Sequence, residues 1–340
     1  MRNYSYILRR RIVKKKRRKK QKNSTLYIFS VIGIILIAGL IYIIAFKGRN
    51  NDSENASANN NTTKNSENVS DKDAIGEEKT TDSTEYQNKV NFDNFIIPED
   101  IRGLDTEIIS LGYDKNNCGR DEYNRPTIIA DIQNRYGNKY NSIFVGEGGS
   151  KKIYLTFTMG YEYYNGDVSN TEVVMNILKE KNVPAVFFVD GGYVRNNPDM
   201  CKKIVDNGFV LGCHGYDHPS EGVATYSLEE QLEDARKIYT AIYDITGVEP
   251  YYYRFGSGIW NERALALLNS LGFRNVFYSL TYYDYDVNNQ PDRTSTLNMM
   301  IDNIHDGEII YLHTVSNTSV SILEDFIEAA RSKGYEFDIP

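Results

Sequence analysis

The stretch KKIYLTFTMG, Lys151 to Gly160, opens the part of the chain whose pattern decides the fold. From here on, short apolar runs alternate with amphipathic segments of ten to twenty residues, which is the signature of repeated βα units. Strands are predicted at Ile153 to Thr158, Ala185 to Val189, Phe209 to Cys213, Tyr251 to Arg254, Asn275 to Ser279 and Ile309 to His313, with a short last one at Glu336 to Ile339. Helices fall between them. Val173, Val174, Ile177 and Leu178 share one helical face, and Leu228, Leu232, Ala235, Ile238, Tyr239, Ile242 and Ile245 share another. Ser227 and Glu230 read as a capping box opening that second helix and Gly247 as its stop, while Asn261 and Gly272 bracket a third. The expected fold is α/β: a distorted (β/α) barrel of six or seven parallel strands over residues 151–340.

Upstream, residues 92–150 recover apolar content without strong periodicity and are expected to pack on the barrel. Residues 47–91 are dominated by Asn, Ser, Thr, Asp, Glu and Lys, too polar to bury a core, and read as a disordered stalk. Before them, Leu26 to Phe46 is a run of 21 residues without a charge, and a helix of that length spans roughly 30 Å, the thickness of a bilayer's hydrocarbon. It reads as a single transmembrane anchor over 25–46, with a cleaved signal peptide as the alternative. The tail, 1–24, is basic: twelve of the 39 Lys and Arg lie in Met1 to Lys22, with no acid among them. Positive residues stay on the cytoplasmic side, so the expected placement is a cell-membrane protein with an inside N-terminus and an extracytoplasmic C-terminal domain. Removing those twelve charges from the net −7 leaves −19, a poor match to nucleic acid, whose phosphates need a basic surface. Three cysteines in 340 residues exclude a disulfide-built scaffold.

The conspicuous polar residues share an address. Thr158, His214, Arg254 and His313 each close a predicted strand, and in barrel folds active sites are built on that face. Of four histidines in the chain, His214, His218 and His313 all occur there. In His214-Gly215-Tyr216-Asp217-His218-Pro219 the two imidazoles are four apart, a spacing that lets both face one divalent ion.

The order of these motifs resembles the polysaccharide deacetylases, or NodB-homology domains, over about Lys151 to Pro340. It runs Thr156-Phe157-Thr158-Met159-Gly160, then His214 to Pro219, Arg254 to Gly258, Asp284-Tyr285 and Leu312-His313-Thr314. Gly160-Tyr161-Glu162, Asn261 to Leu265 and His313 to Ser316 are most similar to the δ-lactam-biosynthetic de-N-acetylases acting on muramic acid in peptidoglycan. The resemblance implies a hydrolase cleaving the carbon–nitrogen bond of N-acetyl groups on cell-wall glycan, assisted by a divalent metal, zinc foremost. Carried over residue by residue, His214 and His218 are ligands, His313 is the general acid, Arg254 orients the base, and Asp284, with Tyr285, tunes His313.

The first motif departs from that pattern. Where the family has Asp-Asp, or Asp followed by Asn or Ala, this chain has Thr158-Met159. A hydroxyl that accepts no proton near neutral pH stands at the base position, and a soft thioether stands at the ligand position, so the metal is expected to be weakly bound or absent. Gly215 and Phe255-Gly256-Ser257 are further departures. Asp190, at the end of the second predicted strand, is the substitute base to consider, with Glu162 and Asp217 as others. The chain holds 27 tyrosines, and Tyr161, Tyr283 and Tyr285, together with Glu162, are candidates for sugar binding on the rim. Two functions follow: a membrane-anchored deacetylase of peptidoglycan-type glycan, or a catalytically inactive member that keeps the groove and binds or scaffolds the glycan.

Overall fold

The structure, a computed structural model, describes residues 89–113 and 118–340. The predicted tail (1–24), the anchor (25–46) and the stalk as far as residue 88 lie outside the described residues. Among the described residues no helix is long and apolar enough to cross a membrane.

Nine strands form the main sheet: β1 (Ser142–Ile143), β2 (Lys152–Met159), β3 (Ala185–Val189), β4 (Val210–Cys213), β5 (Tyr252–Tyr253), β6 (Arg274–Val276), β7 (Leu280–Thr281), β8 (Glu308–His313) and β9 (Glu336–Phe337). Their order is β7-β8-β2-β3-β4-β5-β6-β1, with β9 also on β2, and every ladder is parallel. All seven predicted strands form close to their predicted bounds. The expected count of six or seven is corrected to nine among the described residues, because β1 and β7, short strands outside the predicted runs, add to the seven. The sheet curls. The one segment from Arg274 to Thr281 pairs with β5 at its start and with β8 at its end, so it spans the seam between the two halves of the sheet.

Burial explains the strand pattern. All five residues of β3 are buried, and β2 is buried from Ile153 to Met159, as expected for parallel strands covered on both faces. Helices α1 (Asn170–Glu180), α2 (Gly191–Asn196), α3 (Pro198–Asp206), α4 (Leu228–Thr246), α5 (Glu262–Ser270), α6 (Arg293–Asp302) and α7 (Asn317–Ser332) fall between them. Ser227 and Glu230 do form the capping box of α4, and Gly247 closes it at φ 71°. Val174 and Leu178 of α1, and Leu228, Ala235, Ile238 and Ile242 of α4, are buried on the faces the spacing marked. Each such apolar side chain contributes roughly 1.5–3 kcal/mol on burial.

The segment upstream of residue 151 supplies part of the sheet itself. Ser142 and Ile143 pair with Asn275 and Val276, placing β1 beside β6. An aromatic cluster fixes the segment: Phe144 stacks on Phe277 at 4.1 Å, and Trp260 lies between Phe144 (5.3 Å) and Tyr136 (5.1 Å). Beyond β1 the backbone crosses the turn before β8, where the Gly146 N–H donates to the Gly307 carbonyl at 2.7 Å. Gly307 has φ 68°, and a Cβ there would stand 2.4 Å from the Gly146 carbonyl carbon. Gly307→Ala is therefore expected to cost about 2 kcal/mol or more, read as a fall of several degrees in Tm by calorimetry. An unchanged Tm would show that this crossing is not tight.

Candidate active site

A cavity of about 800 Å³ opens at the C-terminal ends of the strands. It is lined by Thr158, Asp190, His214, His218, Tyr311 and His313 at its base, and by Tyr161, Tyr282, Tyr283 and Tyr285 at its rim.

His214 follows β4 and is buried. Its Nδ1 lies 2.9 Å from the Arg254 carbonyl, which can only accept, so Nδ1 carries the proton. Nε2 is thereby left with its lone pair, buried and without a hydrogen-bond partner. Burial, with help from His218, holds the pKa well below the usual imidazole range, so the ring stays neutral. The His218 ring lies 5.0 Å away, centroid to centroid. Between them Gly215 turns at φ 84°, and a Cβ there would stand 2.9 Å from the Asp217 carbonyl. The turn requires glycine, and this is the physical reason that Gly215 follows His214. Asp234, on α4, holds the loop by accepting from the N–H groups of Tyr216 (3.1 Å) and Asp217 (2.7 Å).

Arg254 lies directly behind the cavity floor, 2% exposed. Its Nε donates to the Val276 carbonyl at 3.1 Å and Nη2 to the Phe277 carbonyl at 3.0 Å, both in the seam segment. The guanidinium packs on the Phe188 ring at 4.2 Å, which Gly212 makes room for, since a Cβ there would meet that ring at 2.6 Å. Its Nη1 reaches the Thr158 hydroxyl at 3.4 Å. Burial lowers its pKa to about 10, so it remains charged at neutral pH, facing a hydroxyl where the family pattern has a carboxylate.

His313 closes β8 opposite Thr158 in register. Asp284, fully buried, accepts from the His313 ring at Nδ1 (2.6 Å) and from its backbone N–H (2.8 Å). Ser319 donates to the same carboxylate at 2.9 Å, so the ring is oriented by a carboxylate that is itself held. The Tyr285 ring lies 5.8 Å from the imidazole, and Tyr283 lies 4.3 Å from Tyr285. Tyr161, Tyr283 and Tyr285 are each about half exposed, leaving ring faces open on the rim.

Met159, Glu162 and Asp217, named from the sequence, do not line the cavity, and Arg254 and Asp284 stand behind it. β2 continues through Met159, which pairs with Val189, so its side chain leaves the sheet on the face opposite Thr158. Met159 is fully buried in the hydrophobic core and does not stand at a ligand position. Glu162 is also corrected: its carboxylate accepts from Ser169 (2.9 Å), Thr171 (2.9 Å) and Tyr193, and it ties the rim loop to α1 and α2. It is a structural hub, with no oxygen left over for a sugar or for a proton. Asp190 does line the cavity, but it also caps α2, its Oδ1 accepting from the Tyr193 N–H at 2.7 Å. Burial raises its pKa above the usual carboxylate range. Tyr311 and Tyr278 line the cavity and were not singled out in the sequence. For Tyr311 the signal was available, because it stands two residues before His313 on one strand and so shares its face.

The donor set can be compared with what a metal needs. His214 and His218 offer two imidazoles, and the bare Nε2 of His214 fits a ligand role. A third protein ligand is missing: among the described residues no group of three His, Cys, Asp or Glu side chains could hold a metal ion. The residues present make a two-imidazole half-site, short of the three protein ligands typical of catalytic zinc.

Residues 146–276 match the family pattern described as polysaccharide deacetylase. The peptidoglycan-N-acetylmuramic acid deacetylase PdaA of Bacillus subtilis is 34% identical over 200 residues, covering 58% of this chain and 73% of that protein. Its solved structure, a family 4 carbohydrate esterase, superposes with a TM-score of 0.61 at 30% identity, covering 69% of this chain and 96% of that one. A family 4 carbohydrate esterase pseudoenzyme from Bacillus anthracis has the same fold, at 22% identity and a TM-score of 0.52, covering 58% of this chain and 66% of that one. A mutant of that pseudoenzyme has restored enzymatic activity. With the strand-end motifs, the curled parallel sheet and these relatives in agreement, the chain belongs to the polysaccharide deacetylase family.

Proposed function

We propose that this chain is a membrane-anchored, extracytoplasmic member of the family that binds peptidoglycan-type glycan in the strand-end cavity and has lost efficient de-N-acetylation. The observation that carries this is the contact between Arg254 and Thr158: the cation that would orient a carboxylate base meets a hydroxyl instead. General base catalysis typically contributes about 10²- to 10⁴-fold in rate, so its loss is enough to silence turnover while leaving the groove intact. His313 is oriented by Asp284, and Tyr161, Tyr283 and Tyr285 present half-exposed rings of the kind that sugars stack on. The Bacillus anthracis protein offers a precedent for a silenced member on this fold.

A second reading, slow hydrolysis with Asp190 as base, is favoured by one observation: Asp190 is a carboxylate lining the cavity together with His214 and His218. Its raised pKa gives the sign of the pH dependence. The base is active only when ionised, so turnover would fall as pH drops through that raised pKa.

The two readings separate on the full chain in detergent, offered N-acetylated peptidoglycan fragments with added divalent metal. The expected outcome is saturable binding without acetate release above background, with Tyr285→Ala weakening binding roughly 2- to 10-fold. Acetate release that vanishes in Asp190→Asn would instead establish the second reading. For the metal, zinc is expected at well below one equivalent after purification, and His214→Ala should remove what remains, as measured by elemental analysis. Tight, stoichiometric zinc that survives His214→Ala would place the ligands elsewhere. For the topology, protease added to intact cells should release the acidic domain by cutting between Gly48 and Val90; protection of that domain in accessible cells would rule out the anchor.

A further inference from the structure

Tyr311 lines the cavity beside His313. It lies on β8, two residues before His313, and in register with Thr156 of β2. Its ring is clamped on three sides: Tyr278 at 4.9 Å, the His313 ring at 4.8 Å and the Arg254 guanidinium at 4.9 Å. Tyr278 is itself fixed, its hydroxyl donating to the Leu111 carbonyl at 2.7 Å. So placed, the Tyr311 hydroxyl lies 3.1 Å from His313 Nε2, and it also interacts with the Thr158 side chain. The phenol therefore stands between the base position and the ring that would protonate a leaving amine.

We propose that Tyr311 is a second closure on the reaction centre, its hydroxyl occupying the nitrogen of His313 from which a proton would be delivered. The electron bookkeeping supports this. Asp284 accepts from Nδ1, so in the neutral ring Nδ1 carries the proton and Nε2 can only accept. Burial pushes the Tyr311 phenol upward, so it remains a neutral donor near physiological pH and is no replacement for the missing carboxylate. Amide cleavage needs a base to take a proton from water as oxygen adds to the acetyl carbon. It then needs His313 Nε2–H to protonate the amine nitrogen as the C–N bond breaks. Thr158 removes the first step and Tyr311 obstructs the second, so reinstating a carboxylate alone leaves the centre half closed. This consequence rests on the deacetylase ancestry of the site; the contact itself does not.

The test compares the full chain with Tyr311→Phe, Thr158→Asp and the double variant, Met159 being left alone because an aspartate there would enter the core. The first readout is the ¹⁵N resonance of His313 Nε2. It should move toward that of an unbonded ring nitrogen in Tyr311→Phe, a change that keeps the ring and removes only the hydroxyl. The second is acetate release from N-acetylated peptidoglycan fragments with added zinc, expected about 10²-fold faster in the double variant than in Thr158→Asp. Tyr311→Leu in the same background repeats the comparison without the ring. An Nε2 resonance unchanged by Tyr311→Phe would overturn the proposal, as would a Thr158→Asp variant that already matches the double. A moved resonance with no acetate from any variant supports the closure by Tyr311 and overturns instead the reading that a carboxylate at position 158 is enough to restore hydrolysis.

Discussion

The structure is organised around a buried guanidinium to which, among the described residues, no carboxylate is hydrogen-bonded. Arg254 emerges from the end of β5 and spends two of its donors on the carbonyls of Val276 and Phe277, in the short segment that closes the curl of the sheet. A buried cation without adequate hydrogen bonding would be too costly to keep, and here those carbonyls, the faces of Phe188 and Tyr311 and the Thr158 hydroxyl make up its environment. Its own carbonyl accepts from His214, fixing which nitrogen of that ring is bare. One side chain thus sets the seam of the sheet, and its backbone sets the tautomer of a candidate ligand. Removing it would disturb the seam of the sheet and the floor of the candidate site together.

Much of the fold was legible because its signals are local. Strands of four or more residues buried on both faces, such as Ala185–Val189, announce themselves as apolar runs, and α4 declared both of its ends through Ser227, Glu230 and Gly247. Ser142–Ile143 and Leu280–Thr281 did not, since they are strands only by virtue of the neighbours that the curl brings alongside. The site was legible in its address and less so in its details. Strand ends identified His214, Arg254 and His313, whereas the side-chain alternation that sends Met159 into the core depends on how far β2 continues. Glu162 reads as a rim acid until Ser169, Thr171 and Tyr193 are seen to converge on it.

The altered first motif is more than the loss of one group. In the space between β2 and β8, the Tyr311 hydroxyl lies 3.1 Å from His313 Nε2 and interacts with the Thr158 side chain. Polar groups that hydrogen-bond one another in a buried site support its packing. Around these groups Tyr161, Tyr283 and Tyr285 are each about half exposed, which leaves ring faces open along the cavity.

The pairing of β1 with β6 has a consequence for the solution behaviour of the domain. The family match begins at residue 146, just beyond β1, so a fragment drawn to that boundary would strip the last strand from one end of the sheet. The N–H groups of Asn275 and Phe277, which now donate to the carbonyls of Asn141 and Ile143, would face water as an open, unpaired row. An exposed row of that kind is a template for pairing with other chains, so the upstream segment acts as a guard against self-association.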